Sequence, residues 1–459
     1  MIRNKYIGDK KFYRLALLIA VPIMVQNGIT NFVNLLDNIM VGRTGTEQMS
    51  GVSIVNQLFF VYNLCIFGGF SGAGIFTAQY FGKDDINGVR TTTRIKVILG
   101  AVLTIAAFIV FYAFGDKLIE LYLHKGSEGN LELTLTYALD YLKITIWGLP
   151  LYMLVQVYAS TLRECGETVI PMKAGIVAVA VNFVFNWILI FGKLGFPAMG
   201  VRGAAIATVL SRIAEAFIVV FFATKRKAEF RFAEGLYTTF RIPSDILKKV
   251  IIVGSPLLIN EALWSMGQAT LLQCYSTRGL ESVAGFNISS TVINVFKVVF
   301  LAMGNTVGIL VGRLLGAGKI EEAVDTDRKL ITFSVLICCV IGPFLALVSF
   351  VFPLLYNTSN GAKLIARNAI MTGALFMPLD AFKNSTYYTI RSGGKTVITF
   401  LLDAGFTWIV SVPIAFFLSR FTTLTSVQIF ICVNLGELLK GLIGYILVKK
   451  RVWICNMVQ

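Results

Sequence analysis

Asp37, Glu261, Asp380 and Asp403 are carboxylates set among apolar residues, and the chemistry open to them is cation or proton exchange. An ionisable group in hydrocarbon costs free energy unless it is paired, hydrated or used, so each marks a candidate site. Asp37 ends the run Asn34-Leu35-Leu36-Asp37, while Asn182 and Asn186 are four residues apart and so share one helical face. Carboxylate and amide oxygens together are hard ligands, suited to Na⁺ or to a hydrogen-bonded proton. The blander reading has the asparagines joining helices, with Asp37 at a wet helix end. Glu261 follows Pro256 by five residues and Asp380 follows Pro378 by two. Proline frees backbone carbonyls and bends a helix, which is tolerated where the backbone lines a cavity. Carboxylates converging there repel when ionised, and a cation or protons relieve the repulsion, so one occupant can exclude another. That competition is the physical core of antiport. For Asp380 the alternative is a closed ion pair with Lys383, one turn away.

Other charges read as structural. Arg212 and Glu215 are three apart, as are Glu437 and Lys440, and both pairs are expected to close locally. Lys297 has no evident partner in the sequence. Aromatic residues make up 12% of the chain, mostly Phe. A cavity lined by such rings suits flat amphipathic cations, and Trp264 and Tyr275 are candidates by helix position. No GxxxxGK[ST] phosphate loop is present, and Gly316-Ala317-Gly318-Lys319 is too short and follows an apolar span rather than a strand. No enzyme signature is visible, no cofactor is implied, and an ion gradient is the expected energy source. Five of the seven cysteines (Cys65, Cys274, Cys338, Cys339 and Cys432) lie inside apolar runs with no CxxC pair, as small core residues of a reduced protein do. The lone His124 sits in a loop and cannot build a histidine metal site.

The elements that must position these residues are legible in composition. Of 459 residues, 56% are hydrophobic and 14% charged, with a mean hydropathy of +0.75. That balance suits a chain solvated by lipid. Apolar runs of the length that crosses a bilayer recur at about 14–38, 51–79, 95–115, 136–159, 169–191 and 201–224, then at about 248–274, 285–312, 329–355, 366–388, 397–419 and 426–448. Lipid leaves no partner for bare backbone groups, and period-2 alternation is missing, so these are expected to be helices rather than barrel strands. The first run lacks a cleavage site and is read as a span, not a signal peptide.

The second set repeats the first. At an offset of 234, Pro22 meets Pro256, Gly45 meets Gly279, Gly74 meets Gly308 and Gly82 meets Gly316. At an offset of 228, Pro150-Leu151 meets Pro378-Leu379, and Thr161, Arg163 and Gly166 meet Thr389, Arg391 and Gly394. The expected architecture is all-α, with twelve transmembrane helices in two pseudo-symmetric six-helix lobes. Residues 1–224 form the first lobe, 225–249 a linker and 250–459 the second, with binding sites within the bilayer. Placing both termini and the linker on one side gives it roughly 27 Lys/Arg against roughly 9 opposite, which makes that side cytoplasmic. The net charge of +16 is then an orientation signal, not a nucleic-acid footprint, because the basic residues are scattered among short loops.

On specific motifs the chain resembles the multidrug and toxic compound extrusion (MATE) transporters of bacterial type. The residues are Leu36-Asp37-Asn38-Ile39-Met40-Val41-Gly42-Arg43, Asn182-Phe183-Val184-Phe185-Asn186, and the paired Arg163/Gly166/Thr168 and Arg391/Gly394/Thr396 segments. The resemblance covers about residues 10–450. It implies export of organic cations in exchange for Na⁺ or H⁺ by alternating access, in a protein of the bacterial cytoplasmic membrane. Asp37 and Asn182 are similar to residues of the first-lobe cation site, and Thr208 to a further ligand there. Asn186 stands where some members have aspartate, which removes one carboxylate. Asp380 and Glu261 are similar to the second-lobe acidic pair, although Glu261 lies closer to Pro256 than the family spacing. Asp403 completes the candidate coupling set. A Na⁺ site is expected either at Asp37 with Asn182 or at Glu261 with Asp380. The expected partners are a small organic cation and the bilayer, with no nucleic acid, and the expected state is a monomer. The rival functions are a lipid-linked oligosaccharide flippase, which needs a cationic cavity, and a membrane-embedded enzyme or scaffold, which has no need of intramembrane carboxylates.

Overall fold

The computed structural model describes residues 3–123, 130–225, 230–239 and 241–458, and these carry no β-strand. His124 and residues 226–229 of the linker, among them Arg226 and Lys227, lie outside them. Twelve long helices follow in order. They are α1 (Lys10–Gly42), α2 (Thr46–Gly82), α3 (Ile86–Glu120), α4 (Leu131–Glu164), α5 (Val169–Phe191) and α6 (Val201–Lys225), then α7 (Ser244–Ser276), α8 (Leu280–Gly316), α9 (Ile320–Leu355), α10 (Asn360–Ser392), α11 (Thr396–Phe421) and α12 (Ser426–Lys449). Six helices belong to each sequence repeat. Ten of the twelve are long and apolar enough to cross a membrane. The two that fall short, α7 and α10, carry Glu261, Asp380, Lys383 and Arg391. Their polarity has to be turned away from lipid, so it must be absorbed by pairing or water.

Local chemistry explains the irregular points. Pro22 and Pro256 sit inside α1 and α7 at equivalent positions of the repeat, where each removes one rung of the backbone ladder. In α4 a 3₁₀ turn at Ile146–Gly148 precedes Pro150, while the matching Pro378 lies inside an uninterrupted α10. A capping box starts α12: Thr425 Oγ1 accepts from Gln428 N at 3.3 Å and Gln428 Oε1 accepts from Thr425 N at 2.9 Å. Most unusual is α11, which is π-helical over Leu401–Gly405 and Thr407–Ser411. Such widened turns are rare and recur at functional sites.

The chain forms two compact units. One comprises Met1–Met24, Ala78–Asp85 and Lys249–Gln459, and the other Val25–Thr77 and Ile86–Lys248. The cut through α1 falls two residues after Pro22, where the missing N–H loosens the helix. In the first unit Ile19 and Ile23 of α1 pack with Met303 and Val307 of α8, Leu330 of α9 and Trp453 beyond α12. In the second, polar contacts within the bundle join helices: Tyr62 of α2 meets Thr104 of α3 at 2.8 Å, and Thr77 donates to Thr92 at 2.8 Å. The described part of the linker is docked on this second unit. Arg94 donates to the carbonyls of Leu236 and Gly235 at 2.8 and 2.7 Å, and Phe232 and Leu236 are buried.

Candidate ion and substrate sites

In the second unit, α1 and α5 bring three of the expected residues together. Asn186 Nδ2 donates to Asp37 Oδ1 at 2.5 Å and to Asn182 Oδ1 at 3.0 Å. An amide nitrogen has two hydrogens, so both are used. Asn182 and Asn186 are 5% and 1% exposed, and Asn186 Oδ1 is buried with no hydrogen-bond partner among the described residues. The i, i+4 spacing therefore does place both amides at the carboxylate. Thr208, on α6, donates to its own helix at Ala204 O (3.0 Å) and sits beside Tyr141 of α4, which is also within electrostatic reach of Asp37. Arg212 is within electrostatic reach of Asp37 too, but its Nη1 is held by Glu215 at 2.7 Å, and its guanidinium lies 5.2 Å from the Tyr152 ring centre. The local Arg212–Glu215 pair forms as its spacing predicts. Among the described residues, the ion pairs of this unit are Lys96–Glu164, Arg202–Asp140 and Arg212–Glu215, and Asp37 is in none of them.

The first unit is arranged differently. Asp380 is paired with Lys383 at 2.7 Å, and the same ammonium contacts Glu437 of α12. Lys440 does not close onto Glu437, as its three-residue spacing suggests. It crosses to Asp403 Oδ1 of α11 at 2.7 Å. The reason lies in the neighbours: Lys383 from α10 takes Glu437, which leaves Lys440 to the π-helical segment. Asn260, next to Glu261 on α7, ties that segment down. Its Nδ2 donates to Asp403 Oδ2 at 3.1 Å, and its Oδ1 accepts the backbone N–H of Ala404 at 3.1 Å. Trp408 Nε1 donates to Leu263 O at 2.8 Å across the same contact. Glu261 itself is half-buried, within electrostatic reach of Arg391 and Asp403. Lys297 lies within reach of Glu437. The carboxylates Glu261, Asp380, Asp403 and Glu437 thus share their surroundings with Lys297, Lys383, Arg391 and Lys440, one cation for each.

Asn260 is 1% exposed and serves two helices, so Asn260→Ala strands the Ala404 N–H and one Asp403 oxygen. The expected cost is about 1–3 kcal/mol, read as a lowered thermal unfolding midpoint in detergent. An unchanged midpoint would show that the widened turns of α11 do not depend on this amide.

The two aromatic candidates separate. Tyr275 is 5% exposed, with its ring stacked on Phe286 at 4.8 Å and met edge-on by Phe430 at 5.7 Å. Those neighbours use the faces a substrate would need. Trp264 keeps 37% of its surface exposed. A crevice of about 790 Å³ opens between α9, α10 and α12, lined by Cys338, Pro343, Asn368, Pro378 and Gln428 among others. It reaches the Pro378 turn of α10 but not the α7–α11 contact. Sequence reading missed Tyr141 and Asn260, neither of which is charged, and also Asp327. Asp327 is 2% exposed on α9 and accepts from Thr389 Oγ1 at 2.5 Å. It lies just before the expected start of its span. Among the described residues no cluster of three or more His, Cys, Asp or Glu is placed to hold a metal ion.

Twelve helices in two repeated sets, with carboxylates and amides buried in their interiors, define a multi-pass membrane protein of transporter type. The chain matches the MatE family model over residues 22–188 and 256–417, once per repeat and each time starting at the helix proline, and it belongs to that family of MATE transporters. It is similar to the probable multidrug resistance protein NorM of Thermotoga maritima, at 28% identity over 412 residues, covering 88% of this chain and 85% of the relative. It is likewise similar to the probable multidrug resistance protein YoeA of Bacillus subtilis, at 24% identity, covering 89% and 87%. Among solved structures, an outward-facing multidrug resistance MATE family transporter of the MOP superfamily has the same fold, with a TM-score of 0.85 at 21% identity, covering 97% of this chain and 96% of that one. So does a MOP superfamily transporter from Pyrococcus furiosus, with a TM-score of 0.84 at 21% identity, covering 98% and 97%.

Proposed function

We propose that the protein is a secondary antiporter that exports amphipathic organic cations in exchange for Na⁺ or H⁺, working by alternating access between lobes 1–224 and 250–459. The observation that carries this reading is the Asp37–Asn186–Asn182 cluster, a half-buried carboxylate held by buried amides and outside the ion pairs of its unit among the described residues. Its ligands fit a small cation, since one carboxylate and two amide carbonyl groups are hard oxygen ligands, and Thr208, beside Tyr141, is the candidate for a further one. Asn186 supplies a two-position element. With Asp37 ionised, Nδ2 faces the carboxylate and Oδ1 is left without a partner. With Asp37 protonated or a cation bound, the rotated amide can present Oδ1 to the site instead. The exchange of one charge for another at Asp37 is what a bulky cation bound in the protein senses, and by linkage the substrate weakens ion affinity by the same factor.

The names of the relatives support multidrug export, and the roughly threefold Lys/Arg excess supports cytoplasmic termini. Glu261, Asp380 and Asp403 then act less as a second ion site than as a self-neutralised framework, since lysine and arginine already play the part of the cation. This also weighs against the flippase alternative, because each of those basic groups faces a carboxylate. The test is efflux of a fluorescent organic cation from proteoliposomes under imposed Na⁺ and pH gradients. Acceleration by one gradient is the expected result; equal rates with and without both gradients would rule out coupled antiport.

A further inference from the structure

We infer that the segment Arg451–Val458 is a strap that holds the last turns of α2 and α8 together and has to release one of them for the transport cycle to proceed; the inference rests on the alternating-access reading above. These two helix ends belong to different sequence repeats, yet both lie in one compact unit. They touch backbone to backbone under the repeat's own symmetry. A Cβ on Gly82 would lie 1.9 Å from Arg313 O, and a Cβ on Gly316, its counterpart at offset 234, would lie 1.9 Å from Gln79 O. One turn back, Ala78 Cβ is 3.3 Å from where Gly312 would carry a Cβ. Only glycine permits so close a crossing, and any motion that opens this end of the molecule has to break it.

The strap lies across that crossing and bonds to both sides. On the α2 side, Gln79 Nε2 donates to Cys455 O at 3.2 Å, Met457 N donates to Gln79 Oε1 at 2.8 Å, and Lys83 Nζ donates to Val458 O at 2.7 Å. On the α8 side, Asn456 Nδ2 reaches Gly316 O at 3.4 Å, while Trp453, 1% exposed, packs its backbone onto Gly393 at the end of α10. Gln79 is fully buried, and its amide also donates to Ser392 O at 2.9 Å, so one side chain joins α2, the α10 end and the strap. A segment that only finished α12 would need none of the bonds to Gln79 or Lys83. Because it binds both ends at once, it stabilises the joined state relative to any state in which they part.

The test is oxidative cross-linking of A78C with G312C, whose Cβ atoms are close to the roughly 3.8 Å of a disulfide. The 78–312 linked peptide is read by mass spectrometry, so the native cysteines stay in place. Three proteins are compared: the full chain, a chain lacking residues 454–459, and K83M/N456A, which keeps Trp453 and the Gln79 contacts. Truncation is expected to raise the ratio of parted to joined molecules at least about fivefold, the weight of one net hydrogen bond, and so to slow cross-linking, with a smaller drop in K83M/N456A. Should the truncated chain fail to fold, the double substitution decides. A full-chain rate in either folded variant overturns the strap. Cross-linking needs no solute, so a failure to transport would count against the antiport reading and leave this result standing.

Discussion

Asp37→Asn is expected to uncouple transport while leaving the protein folded. The substitution keeps the shape of the side chain, and an amide can still accept from Asn186, so the buried contact survives without its charge. What disappears is the ability to exchange a proton or cation. Coupling free energies between sites usually amount to about 5–150-fold in affinity, and that factor should fall to one. The measurement is substrate affinity with and without Na⁺, and at two pH values, beside gradient-driven efflux in proteoliposomes. Persistence of the wild-type dependence in this variant would remove Asp37 from the mechanism. The reverse change, Asn186→Asp, places a second carboxylate against the first. Two such groups cannot both ionise without a cation between them, so this variant should depend more strongly on Na⁺ or hold a proton more tightly.

The second large effect concerns stability. Lys440→Met leaves Asp403 half-held by Asn260, with no ammonium beside it. Removing one partner of a buried pair costs about 3–5 kcal/mol, because the survivor is an uncompensated charge. Lys440 and Asp403 are 12% and 18% exposed, so the lower part of that range applies, about 3 kcal/mol. The double variant Asp403→Asn/Lys440→Met removes both charges and should regain most of the loss. Thermal unfolding in detergent follows both. If the double variant were no more stable than the single one, the two residues would not be acting as a pair. Transport by the double variant is informative as well: retained ion coupling would agree with a framework role for the second lobe, whereas its loss would return Asp403 to the coupling set.

How far the site could be read in advance depends on the kind of geometry involved. Asn182 and Asn186 were legible because a helix fixes which residues share a face, and Arg212 with Glu215 for the same reason. Glu437 and Lys440 have identical spacing, yet pair with Lys383 and Asp403 on other helices. Spacing states what a helix offers, whereas the neighbours decide what is taken. The widened turns of α11 carried no signal, since the partner that takes the Ala404 N–H there is Asn260 of α7, more than a hundred residues away. Asp327 was lost to an uncertain helix boundary. The strap was invisible because an eight-residue segment has no periodicity to read.

By itself, the amino-acid order determined the solvent, the helix count and the repeat. Those follow from how much apolar surface the chain carries and how often prolines and glycines return. The tertiary structure alone decided which carboxylates are occupied by lysine and which keep free lone pairs. The physical reason is that pairing is a contest between neighbours a few ångströms apart in space, and the competitors come from different helices: Lys440 and Asp403 are 37 residues apart along the chain, Lys383 and Glu437 54, and Asn186 and Asp37 149.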